Sequence, residues 1–141
     1  MDLLNLARKP IFGYPNMLAS EAIARMVANN VGAIVVNDRA RHIVGIFTER
    51  DVMCRITFKR LAPEETPLSS VMTRPVQTVP PETNVEDALE RMIRGRFRHL
   101  PIVDTLDRVI AIVSLRYLLM RRLGENRLLR RLKEPEFADI A

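Results

Sequence analysis

The residues best placed to do chemistry are Thr48 and Asp51, which end the stretch GIFTERD at 45–51. A strand that served only the core would not need this polar ending. The spacing of three residues places both side chains at the same end of a helix that begins here. Two interpretations follow. The hydroxyl and the carboxylate can bind a polar ligand, or Thr48 can cap the helix while Asp51 returns the bond from its third position, as in a capping box.

Elsewhere the sequence lacks the arrangements that are typical of catalytic or metal sites. It has no Cys–His pair with supporting residues, no His or carboxylate cluster at metal-ligand spacing, and no phosphate loop among its five glycines. The sequence therefore predicts a protein that is not an enzyme, binds no metal and requires no cofactor. The single cysteine, Cys54, follows Met53 in an apolar segment, which predicts a buried position and fits a reducing compartment.

The same pattern of residues occurs twice in the chain, with a shift of 66 residues and no gap. Apolar positions coincide throughout the two copies, and several identical residues fall in the same register. Such internal similarity indicates a tandem repeat of one structural unit. The identical pairs include Ala22 and Ala88, Arg25 and Arg91, Met26 and Met92, Asp38 and Asp104, Ile46 and Ile112, and Arg50 and Arg116.

Each copy predicts a helix, two short strands around a polar turn, and a second helix. In the second copy the first helix follows a capping-box pattern at 83–86. The second helices are expected to begin at about Thr48 and about Ser114. The predicted apolar faces of the first helices consist of Ala22, Ile23, Met26 and Val27, and of Ala88, Leu89, Met92 and Ile93.

One such unit has too little core to be stable alone. Two of them should therefore pack sheet against sheet with their helices outside. The sequence thus predicts an α/β (α+β) fold made of two repeated units. The expected divisions are a first unit at 1–61, a second unit at 62–124 and a basic C-terminal helical tail at 125–141.

Two stretches resemble the motifs of a known family. Residues 71–104, VMTRPVQTVPPETNVEDALERMIRGRFRHLPIVD, look like a complete cystathionine β-synthase (CBS) motif. GIFTERDV matches the family hallmark of a glycine, two apolar residues, a threonine, two variable residues and an aspartate. The resemblance covers roughly residues 1–123, so the chain is similar to a tandem CBS pair, or Bateman module, of the stand-alone kind. The segment IFGYPNMLASEA departs from the usual Val-x-Pro-x-x-Thr pattern.

This resemblance implies a ligand of the adenosine class between the two units, namely AMP, ADP, ATP or S-adenosylmethionine. In the family the hallmark aspartate binds the ribose hydroxyls and the threonine binds phosphate, roles that fall here on Asp51 and Thr48. A carboxylate accepts two O–H donors from a cis-diol, and backbone N–H groups at a helix start favour an anion.

The resemblance also implies that this site takes the rest of its wall from the second unit. Arg98 would bind phosphate, because its fork of N–H donors suits an oxyanion. His99 either binds the ligand or forms hydrogen bonds within the packing beside its strand. The implied wall consists of Val76, Gln77, Thr78, Arg98, His99 and Pro101.

The second unit departs from the hallmark. Ser114 keeps the hydroxyl, but Tyr117 stands where the first unit has its aspartate, and Ala111 replaces the glycine. One potential site is therefore intact and the other is doubtful. Tyr117 either stacks on a base or packs its ring in the core with its hydroxyl outward.

The positive charge of the chain is concentrated near its C-terminus. The net charge is +5, and residues 121–133 hold five Arg and one Lys against one Glu, which is also +5. This segment predicts a short basic helix that either packs on the module or its dimer mate, or contacts nucleic acid or another acidic partner. No aromatic residue lies among its arginines, which argues against single-strand binding by stacking.

Together these features predict a cytoplasmic sensory module that binds an adenosine ligand, forms a homodimer and modulates an unidentified protein partner. The alternative is a ligand-free interaction or scaffold protein that acts through its basic tail on nucleic acid or an acidic protein. The first residues do not match a secretory signal, and no apolar run approaches the roughly 20 residues of a membrane helix. No membrane association is expected.

Overall fold

The computed structural model describes residues 2–123, which form two units of the predicted kind. A connection that contains a short helix joins them. The short helix Glu49–Asp51 continues directly into π-helical turns at Val52–Thr57. Two 3₁₀ turns lie at Leu3–Leu6 and Pro63–Glu65. The elements are β1 Phe12–Gly13, α1 Ala19–Asn29, β2 Ala33–Asn37, β3 Ile43–Thr48, α2 Glu49–Asp51, α3 Leu68–Val71, α4 Val85–Gly95, β4 His99–Val103, β5 Val109–Ser114 and α5 Leu115–Leu123.

Each unit has a small sheet built around an antiparallel hairpin. As predicted, β2 pairs with β3 and β4 pairs with β5, while β1 adds a parallel edge to β2. In the second unit Val79 makes a parallel bridge to Ile102. This bridge repeats the pair of Gly13 with Val36 in the first unit. The repeat in sequence is therefore also a repeat in hydrogen-bonding register.

The first helices of the two units end at the same repeat position. Asn30 and Arg96 adopt left-handed backbone conformations with φ of 50° and 57°, and their N–H groups bond to carbonyls in the last turns of α1 and α4. The predicted capping box at 83–86 is wrong by one residue. Asn84 is the cap of α4, because its side chain accepts the N–H of Asp87 at 2.8 Å.

The two units exchange their leading segments. The turn Leu3–Leu6 buries apolar side chains in the core of the second unit, and α3 does the same in the core of the first. Just beyond each of these turns, Arg8 pairs with Ile112 and Thr73 pairs with Ile46. Each core thus includes a segment from the other half of the chain. The division at residue 61 stays a prediction.

The two sheets pack against each other. Val35 of β2 is buried against Val103 and Val109, with Ile43 and Ile112 beside them. The helices pack on the other sides of the sheets, where each unit has its own apolar core. This arrangement confirms the mixed α/β fold of two repeated units.

Three apolar residues lie outside their predicted positions. Val27 and Ile93 are 76% and 60% exposed, so the buried faces of α1 and α4 are narrower than the pattern suggests. Cys54 is exposed, and the prediction of a buried cysteine is wrong. The reason is that this part of the apolar segment faces outward, since the neighbouring Met53 is also 61% exposed.

Within residues 2–123 no helix is long and apolar enough to cross a membrane. The predicted tail at 125–141 lies outside the described residues. Of the basic segment 121–133, only its first three residues are described, at the end of α5. There Arg122 forms an ion pair with Glu86 of α4.

Candidate functional site

Asp51 lies at the start of α2 and is only 4% exposed. Its Oδ2 atom accepts the backbone N–H of Thr48 at 2.9 Å, and the two residues form a capping box. The cap interpretation is therefore confirmed. It explains the polar ending of β3, because a helix that begins directly after a strand leaves N–H groups that need acceptors.

The remaining acceptor positions of Asp51 are also occupied. The Thr48 hydroxyl donates to Oδ2 at 3.3 Å, and the Thr73 hydroxyl donates to Oδ1 at 2.8 Å. The Nε atom of Arg55 lies 3.5 Å from Oδ1. An ionised carboxylate offers about four lone-pair positions, so hydrogen bonds fill three of them and the Arg55 guanidinium occupies the space beside the fourth. Arg55 balances the buried negative charge.

Sequence reasoning missed Thr73 and Arg55 at this site. The sequence could have predicted the ion pair of Arg55 with Asp51, because Arg55 lies four residues later on the same helix and opposite charges pair at this spacing. Thr73 is 22 positions away in the connection between the units. No local pattern relates it to Asp51.

The backbone holds Thr73 in place. Thr73 exchanges two hydrogen bonds with Ile46 of β3, at 2.8 and 3.0 Å. Arg55 donates to the carbonyl of Met72 at 3.0 Å. A Cβ at Gly45 would overlap the side chain of Met72, so the hallmark glycine leaves room for the connection. The pair Met72–Thr73 is thereby fixed against β3 and α2, beside the buried carboxylate.

The start of α2 also lies beside the second unit, as the resemblance implies. Arg50 donates to the carbonyl of Arg96 at 3.2 Å. A Cβ at Gly32 would come within 2.9 Å of Glu49 Oε1 and 3.1 Å of His99 Nε2. The structure therefore brings the beginning of α2 and the beginning of β4 together.

Residues 76–78 directly precede Val79, which pairs with β4. The N–H of Val79 bonds to the carbonyl of Pro101 at 3.1 Å, which aligns the preceding residues with the start of the strand. Within the described part of the chain, Asp51 bonds to Thr48 and Thr73 and pairs with Arg55, and it makes no bond to the predicted wall. Of that wall, Pro101 is buried, Val76, Thr78 and His99 are partly buried, and Gln77 and Arg98 are exposed.

His99 has the clearest electrostatic perturbation at the site. Burial, reinforced by the positive charge of Arg98, lowers the pKa of His99 from 6.5 to about 4. The imidazole is therefore neutral at neutral pH, with one N–H donor and one acceptor nitrogen. This state suits both roles that the sequence left open for it.

The doubtful second site is arranged differently. The Oγ atom of Ser114 accepts the N–H of Tyr117 at 3.1 Å, so Ser114 caps α5. Tyr117 is 38% exposed and lies at the surface of the second unit. The second unit therefore keeps the helix cap and lacks the carboxylate.

Two packed α/β repeats with this hallmark define a protein of the CBS class. The CBS-domain family profile matches residues 2–57 and 68–124. The chain belongs to the CBS-domain family, and the recognition of a tandem pair is confirmed.

Known proteins agree with this assignment. An uncharacterised 17.7 kDa protein of Acidianus ambivalens is 38% identical over 102 residues, which is 72% of this chain and 60% of that protein. The CBS-domain protein ATU1752 of Agrobacterium tumefaciens superposes with a TM-score of 0.78 at 28% identity, over 86% of this chain and 99% of that one. The CBS pair of MJ0100, solved with 5′-methylthioadenosine and S-adenosylmethionine, has a TM-score of 0.76 at 23% identity, over 88% and 99% of the two chains.

Proposed function

We propose that this chain is a regulatory, non-catalytic module that binds one adenosine compound and passes the resulting change to a partner protein. The ligand is AMP, ADP, ATP or S-adenosylmethionine, held between the two units. The observation that carries the proposal is the proximity of the start of α2 to the start of β4, since Glu49 and His99 both lie beside Gly32. A ligand there touches both units, so its binding bears on how they pack together.

Each group has a role that fits its surroundings. Asp51 accepts the ribose hydroxyls, and the Thr48 hydroxyl turns from the carboxylate to a phosphate or carboxylate of the ligand. Arg98 is exposed and supplies positive charge for an anion. The neutral imidazole of His99 and residues 76–78 complete the wall. The MJ0100 complex is the reason for including S-adenosylmethionine beside the nucleotides.

The number of sites follows from the difference between the units. Ser114 and Tyr117 offer a hydroxyl and a ring but no carboxylate for a ribose. We therefore expect one ligand for each chain, at the Asp51 site.

Thermal unfolding of the purified chain against AMP, ADP, ATP and S-adenosylmethionine tests the proposal. A ligand present at about 100 times its dissociation constant stabilises the folded state by about 2.7 kcal/mol. For a domain of this size the unfolding midpoint should rise by several degrees.

Two aspartate variants show whether the rise comes from this site. Asp51→Asn removes the acceptor charge and should abolish the rise. Asp104→Asn is the matched control, because Asp104 also accepts backbone N–H groups, from Leu106 at 2.8 Å and Arg108 at 3.0 Å, but lies in the β4–β5 turn. The control should keep the rise. The proposal fails if none of the four compounds shifts the wild type, or if Asp51→Asn retains the full shift.

The same proposal includes a homodimer formed through the helices. Large apolar side chains are exposed at equivalent positions of the two units. Val27 and Ile93 are 76% and 60% exposed on the first helices, and Met53 and Leu119 are 61% and 37% exposed on the second. Since both units present the same surface, a second copy of the chain can cover both of them by one two-fold arrangement.

The alternative function through the basic segment stays a prediction. Its support is the concentration of charge in residues 121–133. A DNA or RNA complex that weakens with salt, and disappears when these residues are neutralised, would favour it over the ligand-binding function.

A further inference from the structure

We propose that Thr73 competes with the ligand for Asp51, so that an adenosine compound binds only by displacing the Thr73 hydroxyl. Thr73 then sets the affinity of the site and reports its occupancy to the connection between the units. The inference rests on the proposed function and adds a regulatory residue to it.

The number of acceptor positions on Asp51 carries this inference. A cis-diol needs two of the four positions, whereas hydrogen bonds from Thr48 and Thr73 fill three and the Arg55 guanidinium occupies the space beside the fourth. The Thr48 hydroxyl, at 3.3 Å, is the weaker donor on Oδ2 and can turn away while the Thr48 N–H remains as the cap. On Oδ1 the Thr73 hydroxyl donates at 2.8 Å, and Arg55 forms an ion pair through its Nε atom at 3.5 Å.

Arg55 is the group that should stay beside Oδ1. It balances the charge of a carboxylate that is 4% exposed, and it also holds the carbonyl of Met72 at 3.0 Å. Removing it would leave a buried charge without a partner, which is far more costly than losing a neutral hydroxyl. The second hydroxyl of a diol must therefore replace Thr73.

The second unit lacks both members of the pair. Its strand bridge places Arg8 opposite Ile112, where the first unit has Thr73 opposite Ile46. Tyr117 occupies the repeat position of Asp51. Among the described residues of the two units, the Thr73 hydroxyl therefore has a counterpart carboxylate only in Asp51, which a ribose would use.

This competition has two consequences. The ligand-free state contains the hydrogen bond between Thr73 and Asp51, and the bound state lacks it. The measured affinity is therefore lower than it would be without this bond. Binding also releases the side chain of Thr73, which belongs to the connection that joins the two units. Occupancy of the site is thereby linked to the packing of that connection.

Calorimetric titration with AMP, ADP, ATP and S-adenosylmethionine tests the inference by comparing the wild type with Thr73→Val. Valine keeps the shape of threonine and removes its donor, so the bond is lost only in the ligand-free state. A hydrogen bond to a charged group of this kind corresponds to roughly tenfold in affinity. Thr73→Val should bind about tenfold more tightly, whereas Thr73→Ser, which restores the hydroxyl, should bind like the wild type.

The control is the same substitution at Thr66, a buried threonine elsewhere in the fold. The hydroxyl of Thr66 donates to the carbonyl of Ala62 at 2.7 Å and makes no contact with Asp51. Thr66→Val should lower the stability and leave the affinity unchanged. Thr73→Ala, measured alongside, removes the same hydroxyl and should also bind more tightly, so the comparison stands even if valine is not accommodated.

The outcomes separate this inference from the proposed function. If the wild type binds and both hydroxyl-free variants bind equally or more weakly, the inference is overturned and the proposed function remains. If neither the wild type nor the variants bind any of the four compounds, both are overturned. Tighter binding by the variants that lack the hydroxyl, with Thr66→Val unchanged, supports both.

Discussion

His99 lies at the start of β4, close to Gly32 and Glu49 of the first unit. Acidification should destabilise the protein through this residue. The pKa of His99 is about 4 in the folded protein against an ordinary value of 6.5, so the unfolded chain holds the proton more tightly. The stabilisation by neutral His99 is fully present above pH 6.5 and is lost as the pH falls towards 4, by up to about 1.4 kcal/mol per pH unit. Urea unfolding between pH 4 and 7 measures it.

His99→Gln isolates this contribution, because glutamine keeps a polar side chain that does not titrate. The nearest charged groups, Glu49 and Arg98, are unchanged in the variant. Its free energy of unfolding should fall less steeply than that of the wild type between pH 6.5 and 4. Equal slopes for the two proteins would show that His99 is not the titrating group.

At the scale of elements, the cap of α4 gives a direct test of the structure against the sequence pattern. Asn84→Ala should lower the free energy of unfolding by about 1 kcal/mol, because the N–H of Asp87 loses the acceptor it has at 2.8 Å. Denaturant unfolding measures the change.

The control for this prediction is the neighbouring residue that the capping-box pattern indicated. Thr83→Ala should change the stability by less than Asn84→Ala, since Thr83 precedes the cap. If the two substitutions had the reverse order of effect, the helix would begin one residue earlier than the structure shows.

Most elements could be predicted from the sequence, because each depends on nearby residues. The apolar strands on either side of the polar turns are where the pattern places them, and the second helices follow at Thr48 and Ser114. The π-helical turns could not be foreseen, since a pattern analysed with a period of 3.6 residues assumes α-helical geometry.

Contacts between distant segments could not be predicted from the sequence either. The bond between Thr73 and Asp51 spans 22 positions, and it exists because the connection crosses to the first unit and pairs with Ile46. The resemblance predicted that α2 lies near β4, and in the structure Glu49 and His99 both lie beside Gly32. The binding role of the wall residues stays a prediction.

At the scale of the whole molecule, the exposed apolar residues of the helices lead to a prediction about assembly. The double variant Val27→Glu with Ile93→Glu places charge on both first helices and should convert the proposed dimer into a monomer. Sedimentation velocity measures the change. The centres of dimer interfaces contain few charged residues, so the added carboxylates should prevent association.

Leu106→Glu is the matched control for this variant. Leu106 is 60% exposed, as Ile93 is, but it lies in the β4–β5 turn rather than on a helix. The control should remain dimeric. A wild type that sediments as a monomer, or a control that dissociates like the double variant, would exclude the helices as the dimer surface.

The exchange of leading segments explains how a ligand in the first unit could affect the second unit as well. The two cores share their segments, and Asp51 bonds to the connection between them. A ligand at Asp51 would therefore act where the two units are joined.

The measurement that tests this account most directly is a calorimetric titration of the purified chain with AMP, ADP, ATP and S-adenosylmethionine, repeated with Asp51→Asn. The account predicts that at least one compound binds with a stoichiometry of one for each chain and that Asp51→Asn abolishes the binding. Binding of none of them, or binding that is unaffected by Asp51→Asn, would contradict it.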